Sequence, residues 1–120
     1  MAVSIEDIKV ERNKQLAACE MKIAQLQILK AKASTANEKL EIDLEKLKIQ
    51  AKRTDIEAAA TRAMLNLEGT AAALQALSQV TDQLTRTAKV MVNAARVGSA
   101  VAAFLTQTNS VLDRYNDLTA

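Results

Sequence analysis

Apolar residues recur in a seven-residue pattern through the first half of the chain. The recurring positions are alternately three and four residues apart from Leu16 to Leu65, and no Gly or Pro interrupts them. This spacing places them along one side of a helix and is typical of coiled coils. We call these positions the first heptad row: Leu16, Cys19, Ile23, Leu26, Lys30, Ala33, Asn37, Leu40, Leu44, Leu47, Ala51, Thr54, Ala58, Thr61 and Leu65.

A second set of positions, which we call the isoleucine row, also recurs every seven residues. It consists of Met21, Ile28, Thr35, Ile42, Ile49, Ile56 and Ala63. Each lies two residues from its nearest neighbours in the first heptad row, which on a helix is roughly 160 to 200° around the axis. The pattern therefore predicts a helix with apolar stripes on two nearly opposite sides.

One segment of this helix has weak helix formers. In "ASTANEK", residues 33–39, Thr35 and Glu38 have the spacing of a capping box, which marks a helix start. Against a break, the first heptad row keeps its phase from Leu26 to Leu40. We therefore predict one charged heptad helix over 1–68, and a three-helix chain that breaks at 33–39 is the alternative.

Residues 69–70 are predicted to form a turn. Gly69 can end the first helix in the left-handed conformation, and the Thr70 side chain can cap the next helix by accepting a backbone N–H bond. Beyond this turn charged residues become sparse, and residues 71–120 are predicted to form a second helix rich in Ala, Val and Thr.

The second helix carries a broad apolar face. Ala94, Gly98 and Ala102 are four residues apart, a small-residue ridge that allows close helix packing in water or in lipid. The apolar run is too brief for a transmembrane helix, since Lys89 and Arg96 interrupt it. The predicted helix-packing or membrane face comprises Val90, Ala94, Val97, Gly98, Val101, Ala102 and Phe104.

These patterns predict an all-α chain, a long two-helix hairpin with coiled-coil heptads that assembles into a helical bundle, ring or tube. The hairpin would bury one stripe of the first helix and leave the other to a neighbouring chain. We therefore expect a homo-oligomer, with other assembly proteins as further candidate partners. In the three-helix alternative the chain would cover its own stripes, and a monomer would be tenable. The predicted oligomer interface comprises Met21, Ile28, Ile42, Ile49, Ile56, Leu40, Leu44 and Leu47.

The composition offers little chemistry. The chain has no His, the usual general base and commonest metal ligand, and Cys19 is its single cysteine. Sixteen basic and fourteen acidic residues are interspersed, so the sequence lacks the basic stripe that binds nucleic acid. We predict no catalytic residues, no metal site and no cofactor, and no nucleic acid as the primary ligand.

The sequence therefore favours a non-enzymatic structural or interaction protein, a self-associating coiled-coil subunit of a virion, a secretion appendage or a scaffold. The alternative is a membrane-active helical protein that oligomerises to insert into or line a pore. The first residues carry charge from Glu6 onward and contain no signal-peptide run, so we expect synthesis in the cytoplasm without processing. The sequence leaves the final location open, and an extracellular or viral assembly is among the candidates.

Overall fold

Residues 3–120 form four α-helices, where the sequence predicted two long ones. A computed structural model describes residues 3–120, apart from the side chain of Ala94. The helices are α1 (Ile5–Lys32), α2 (Ala36–Leu65), α3 (Ala71–Lys89) and α4 (Val97–Asn116), and a short 3-10 helix, Ala94–Arg96, precedes α4. The predicted all-α class is confirmed, and the predicted two-helix hairpin is wrong.

The first helix ends at Lys32, so the prediction of a continuous helix over 1–68 is wrong. The Thr35 side chain accepts a hydrogen bond from the backbone N–H of Glu38 at 3.2 Å. The Glu38 side chain in turn accepts from the backbone N–H of Ser34 at 3.3 Å. These bonds satisfy amides that would otherwise be orphaned at the start of α2, so the chain can reverse there.

The predicted second helix is also divided, between Lys89 and Val97. Val90 has extended backbone angles and ends α3. The Asn93 side chain then accepts a hydrogen bond from the backbone N–H of Ala95 at 3.1 Å, which starts the 3-10 helix. Neither Gly nor Pro marks this break, and the apolar spacing continues across it, which explains why the sequence pattern did not reveal it.

The four helices form a bundle of 54 × 21 × 18 Å. Helices α1 and α4 do not share a large contact, and each packs against both α2 and α3. Two ion pairs join α1 to α2 in antiparallel order, Lys30–Asp43 and Glu20–Arg53. Two hydrogen bonds join α1 to α3 in parallel order, Gln15–Thr81 and Gln25–Ala88. Helices α2 and α3 are therefore on one diagonal, and the linker between them crosses an end of the bundle.

The α2–α3 linker is held by the carboxyl-terminal residues. The backbone N–H of Glu68 donates to Leu118 O at 3.0 Å, and that of Ala120 donates to Asn66 O at 2.8 Å. Gly69 does not adopt the predicted left-handed conformation, and α2 already ends at Leu65. A Cβ at Gly69 would instead collide with the Leu118 side chain, so close packing accounts for this glycine.

The cap predicted at Thr70 is confirmed, since its side chain accepts from the backbone N–H of Ala73 at 3.1 Å. This cap begins α3 immediately after the linker.

The two predicted apolar stripes supply the core rows of two different helices. In α1 the first heptad row is buried at Cys19 and Leu26, whereas in α2 the isoleucine row is buried at its three isoleucines. The core therefore changes from one row to the other at the α1–α2 turn. The two rows were predicted on a single helix. In the structure, the first heptad row contributes core residues mainly in α1, and the isoleucine row contributes them mainly in α2.

Candidate interaction surface

The α2 helix carries an exposed apolar row along its whole length. Leu44 is 50% exposed and Leu65 is 79% exposed, far above the usual value for leucines in a folded domain. The row continues the alternating three and four residue spacing of the first heptad row, and we call it the α2 face. Its members are all exposed: Leu40, Leu44, Leu47, Ala51, Thr54, Ala58, Thr61 and Leu65.

The α2 face exists because α2 is apolar on two sides and the bundle covers only one. The covered side carries the isoleucine row, of which Ile49 and Ile56 are fully buried. Positions of the first heptad row lie on the opposite side of the helix and point away from α1 and α4. The described residues of the chain therefore leave one complete heptad stripe in contact with solvent.

Charged residues border the α2 face on the flank towards α4. Four exposed residues of alternating sign occur there seven positions apart: Glu41, Lys48, Asp55 and Arg62. Lys48 pairs with Glu45 at 2.9 Å in an exposed bridge within the helix. Within residues 3–120, the other three form no ion pair inside the chain.

The flank towards α1 is different, since its carboxylates are already paired. Asp43 lies 2.9 Å from the Lys30 ammonium of α1, and Glu57 lies 2.9 Å from the Arg53 guanidinium. Arg53 also bridges to Glu20 of α1 at 2.9 Å. This flank thus stabilises the α1–α2 contact, whereas the flank towards α4 has charges available for another molecule.

A shorter apolar row lies on the outer side of α1. Met21 is 39% exposed and Ile28 is 55% exposed. The row is interrupted by Lys14 and has fewer large side chains than the α2 face. Its exposed members are Val10, Ala17, Met21, Ala24, Ile28 and Ala31.

The predicted interface residues divide into two groups in the structure. Ile42, Ile49 and Ile56 are buried inside the bundle and are not available to a partner. The exposed group comprises Leu40, Leu44 and Leu47 on the α2 face, together with Met21 and Ile28 on α1. Sequence reasoning omitted the small residues and Leu65 from the interface, although all belong to the first heptad row.

The predicted helix-packing or membrane face is divided as well. Val101 and Phe104 are buried in the core, whereas Val90, Gly98 and Ala102 are exposed and Val97 is half-buried. The side chain of Ala94 lies outside the described residues. Over residues 3–120, no helix combines the length and the apolarity needed to cross a bilayer.

Two polar side chains of α1 that are buried in the bundle, Gln15 and Lys22, form hydrogen bonds to other helices. The fully buried Gln15 amide donates to the Thr81 hydroxyl at 3.0 Å and accepts from the Tyr115 hydroxyl. The buried Lys22 ammonium donates to Val90 O at 2.7 Å and lies 5.9 Å from the centre of the Phe104 ring. These contacts tie α1 to α3 and α4.

Burial shifts the pKa of several of these groups. It raises the pKa of the Cys19 thiol to about 12, raises that of the Tyr115 hydroxyl and lowers that of the Lys22 ammonium. A thiol with so high a pKa is a poor nucleophile at neutral pH. In the described part of the chain, His, Cys, Asp and Glu side chains form no group of three or more that could hold a metal ion.

No family model, curated protein or solved structure with which we compared the chain matches it.

Proposed function

We propose that this protein is a non-enzymatic helical interaction module that self-associates through the α2 face and serves as a subunit of a larger assembly. A virion component, a secretion appendage or a scaffold would each use such a subunit. The observation that carries the proposal is the unbroken heptad row left exposed on α2. Isolated exposed leucines are common, but a contiguous heptad stripe is the usual contact surface of helix-to-helix association.

The free energy available from covering the α2 face is appreciable. Full burial of a leucine contributes about 1.5 to 3 kcal/mol, so covering the exposed half of each of Leu40, Leu44 and Leu47 would contribute about 0.8 to 1.5 kcal/mol per residue. In a symmetric contact both copies bury the same residues, so this contribution doubles. The sum is large enough to offset part of the entropy cost of association, which is several kcal/mol.

We propose self-association over the membrane-active alternative for a structural reason. A bilayer contact through the predicted face of residues 90–105 would require Val101 and Phe104 to leave the core, where both are fully buried. The α2 face needs no such rearrangement, because its side chains are already exposed.

The proposal is tested by the molar mass of two variants with matched exposure. The double variant Leu44→Gln, Leu47→Gln should reduce the assembly to the 13.0 kDa single chain, measured by light scattering after size exclusion. The control Met91→Gln changes a side chain that is 71% exposed but lies outside the α2 face, and it should retain the mass of the unmodified assembly. Circular dichroism checks that both remain helical. Equal masses for the double variant and the unmodified assembly would contradict the proposal.

A further inference from the structure

We infer that the occupant of the α2 face is the α2 helix of a second copy, antiparallel to the first and centred between Ala51 and Thr54. This inference rests on the proposed self-association and adds the orientation and register of the contact. It is carried by two independent observations, the distribution of side-chain size along the α2 face and the order of the charges beside it.

The sizes along the α2 face favour an antiparallel contact. Its amino-terminal half holds Leu40, Leu44 and Leu47, whereas its carboxyl-terminal half holds small residues apart from Leu65. In an antiparallel pair each large residue meets a smaller one, apart from leucines at the two ends. The layers, with the second member in the other copy, are Leu40 with Leu65, Leu44 with Thr61, Leu47 with Ala58 and Ala51 with Thr54.

These layers also match the geometry of two crossing helices. Two helices that cross at an angle approach most closely at their crossing point and diverge towards their ends. The smallest layer, Ala51 with Thr54, lies at the centre, and the leucine pairs lie at the ends. A parallel pair would place Ala51 against Ala51 and Leu44 against Leu44, so that three of its four leucine layers would lie towards one end.

The charges on the flank towards α4 complement each other in the same register. A two-fold axis across an antiparallel pair brings this flank of one copy beside the same flank of the other. Glu41 then lies beside Arg62 of the second copy, and Lys48 beside Asp55 of the second copy. Each pairing occurs twice by symmetry, so all four exposed charges of both copies meet a charge of opposite sign.

A parallel pair of α2 helices is disfavoured by the existing ion pairs on the flank towards α1. A parallel pair would bring Asp43 beside Lys48, and Glu57 beside Arg62, of the second copy. Both carboxylates are already bound at 2.9 Å, to Lys30 and Arg53. By contrast, of the four charges used by the antiparallel pair only Lys48 already has a partner within the described residues, Glu45. The antiparallel pair leaves these two bridges intact.

Charge reversal tests the pairing. Lys48→Glu places like charges beside Asp55 of the second copy at two positions and should raise the dimer Kd about tenfold, given the modest worth of exposed ion pairs. Adding Asp55→Lys to the same chain should restore the Kd, measured by sedimentation. In the parallel arrangement Asp55→Lys would not restore it, because Lys48→Glu would face Asp43.

Cross-linking tests the orientation directly. Leu47→Cys and Ala58→Cys are made separately and treated with the short linker bismaleimidoethane, alone and mixed. Only the mixture should cross-link efficiently, since the two Leu47 positions of an antiparallel pair are eleven residues apart along the axis, roughly 16 Å. The unmodified protein is the control, because its buried Cys19 should not react.

The outcomes separate the two proposals. A single-chain mass for the unmodified protein would overturn the self-association itself. An assembled protein in which Leu47→Cys cross-links to itself, or in which the mixture fails to cross-link, would leave self-association standing and overturn the antiparallel arrangement.

Discussion

At the scale of single residues, burial in the bundle shifts the pKa of the Cys19, Lys22 and Tyr115 side chains away from their ordinary values. Cys19 belongs to the first heptad row, which predicted burial, and it is fully buried. The burial of Lys22 and Gln15 was not predictable from the sequence, because nothing in the pattern distinguishes them from exposed neighbours. Their burial follows from α3 lying beside α1 and α4 lying across the core from it, which depends on breaks that local sequence indicates weakly.

Because the Cys19 thiol is buried, we expect the free energy of unfolding to fall in alkaline solution. The folded pKa of the thiol is about 12, above the ordinary value of 9.0, so between these values the unfolded chain loses a proton that the folded chain retains. The contribution of the thiol is therefore fully present below pH 9.0 and is lost as the pH rises towards about 12, with a slope of at most about 1.4 kcal/mol per pH unit.

Urea unfolding of the unmodified protein and of Cys19→Ala at several pH values checks this expectation. The difference in unfolding free energy between the two proteins should be constant below pH 9 and should shrink above it. Lys22 and Tyr115 also titrate in alkaline solution, but they are present in both proteins and cancel in the difference. A difference that stays constant with pH would show that the thiol does not contribute.

At the scale of helices, the sequence identified helical structure and its apolar rows but not every helix boundary. The capping pair Thr35 and Glu38 was visible, and the alternative of a break at residues 33–39 is the one that the structure adopts. Continuity of the heptad phase across that break was misleading, because each of the two helices needs its own core row. The break after Lys89 was not predictable, since its Asn93 cap has no accompanying glycine or proline.

Replacing each of the two glycines by alanine should change the free energy of unfolding in opposite directions. Gly69→Ala should lower the unfolding free energy by about 1 kcal/mol, because the added Cβ collides with the buried Leu118 side chain. Gly98→Ala should raise it by about 0.5 kcal/mol, because Gly98 is in the first turn of α4 with open space around it and alanine is the better helix former.

Thermal or urea unfolding of both variants measures these effects side by side. If Gly69→Ala is as stable as the unmodified protein, the packing of the carboxyl-terminal residues against the linker is not the reason for a glycine at this position.

At the scale of the whole molecule, the bundle buries one apolar stripe of α2 and leaves the other exposed to solvent. The continuous-helix interpretation of the sequence predicted that a single chain would leave an apolar stripe uncovered, and it placed Leu40, Leu44 and Leu47 in the interface. It also assigned Ile42, Ile49 and Ile56 to the interface, and these are buried within the chain because the additional breaks allow four helices to pack together. Which stripe remains outside depends on how four helices pack, and the heptad pattern alone does not contain that information.

The molar mass of the unmodified chain across micromolar concentrations decides whether a second copy covers the α2 face. Sedimentation equilibrium should give a mass that is a whole multiple of 13.0 kDa and that falls towards 13.0 kDa only on dilution. A stable 13.0 kDa species at every concentration would rule out this contact, since the leucines of α2 would then remain in water in the native protein.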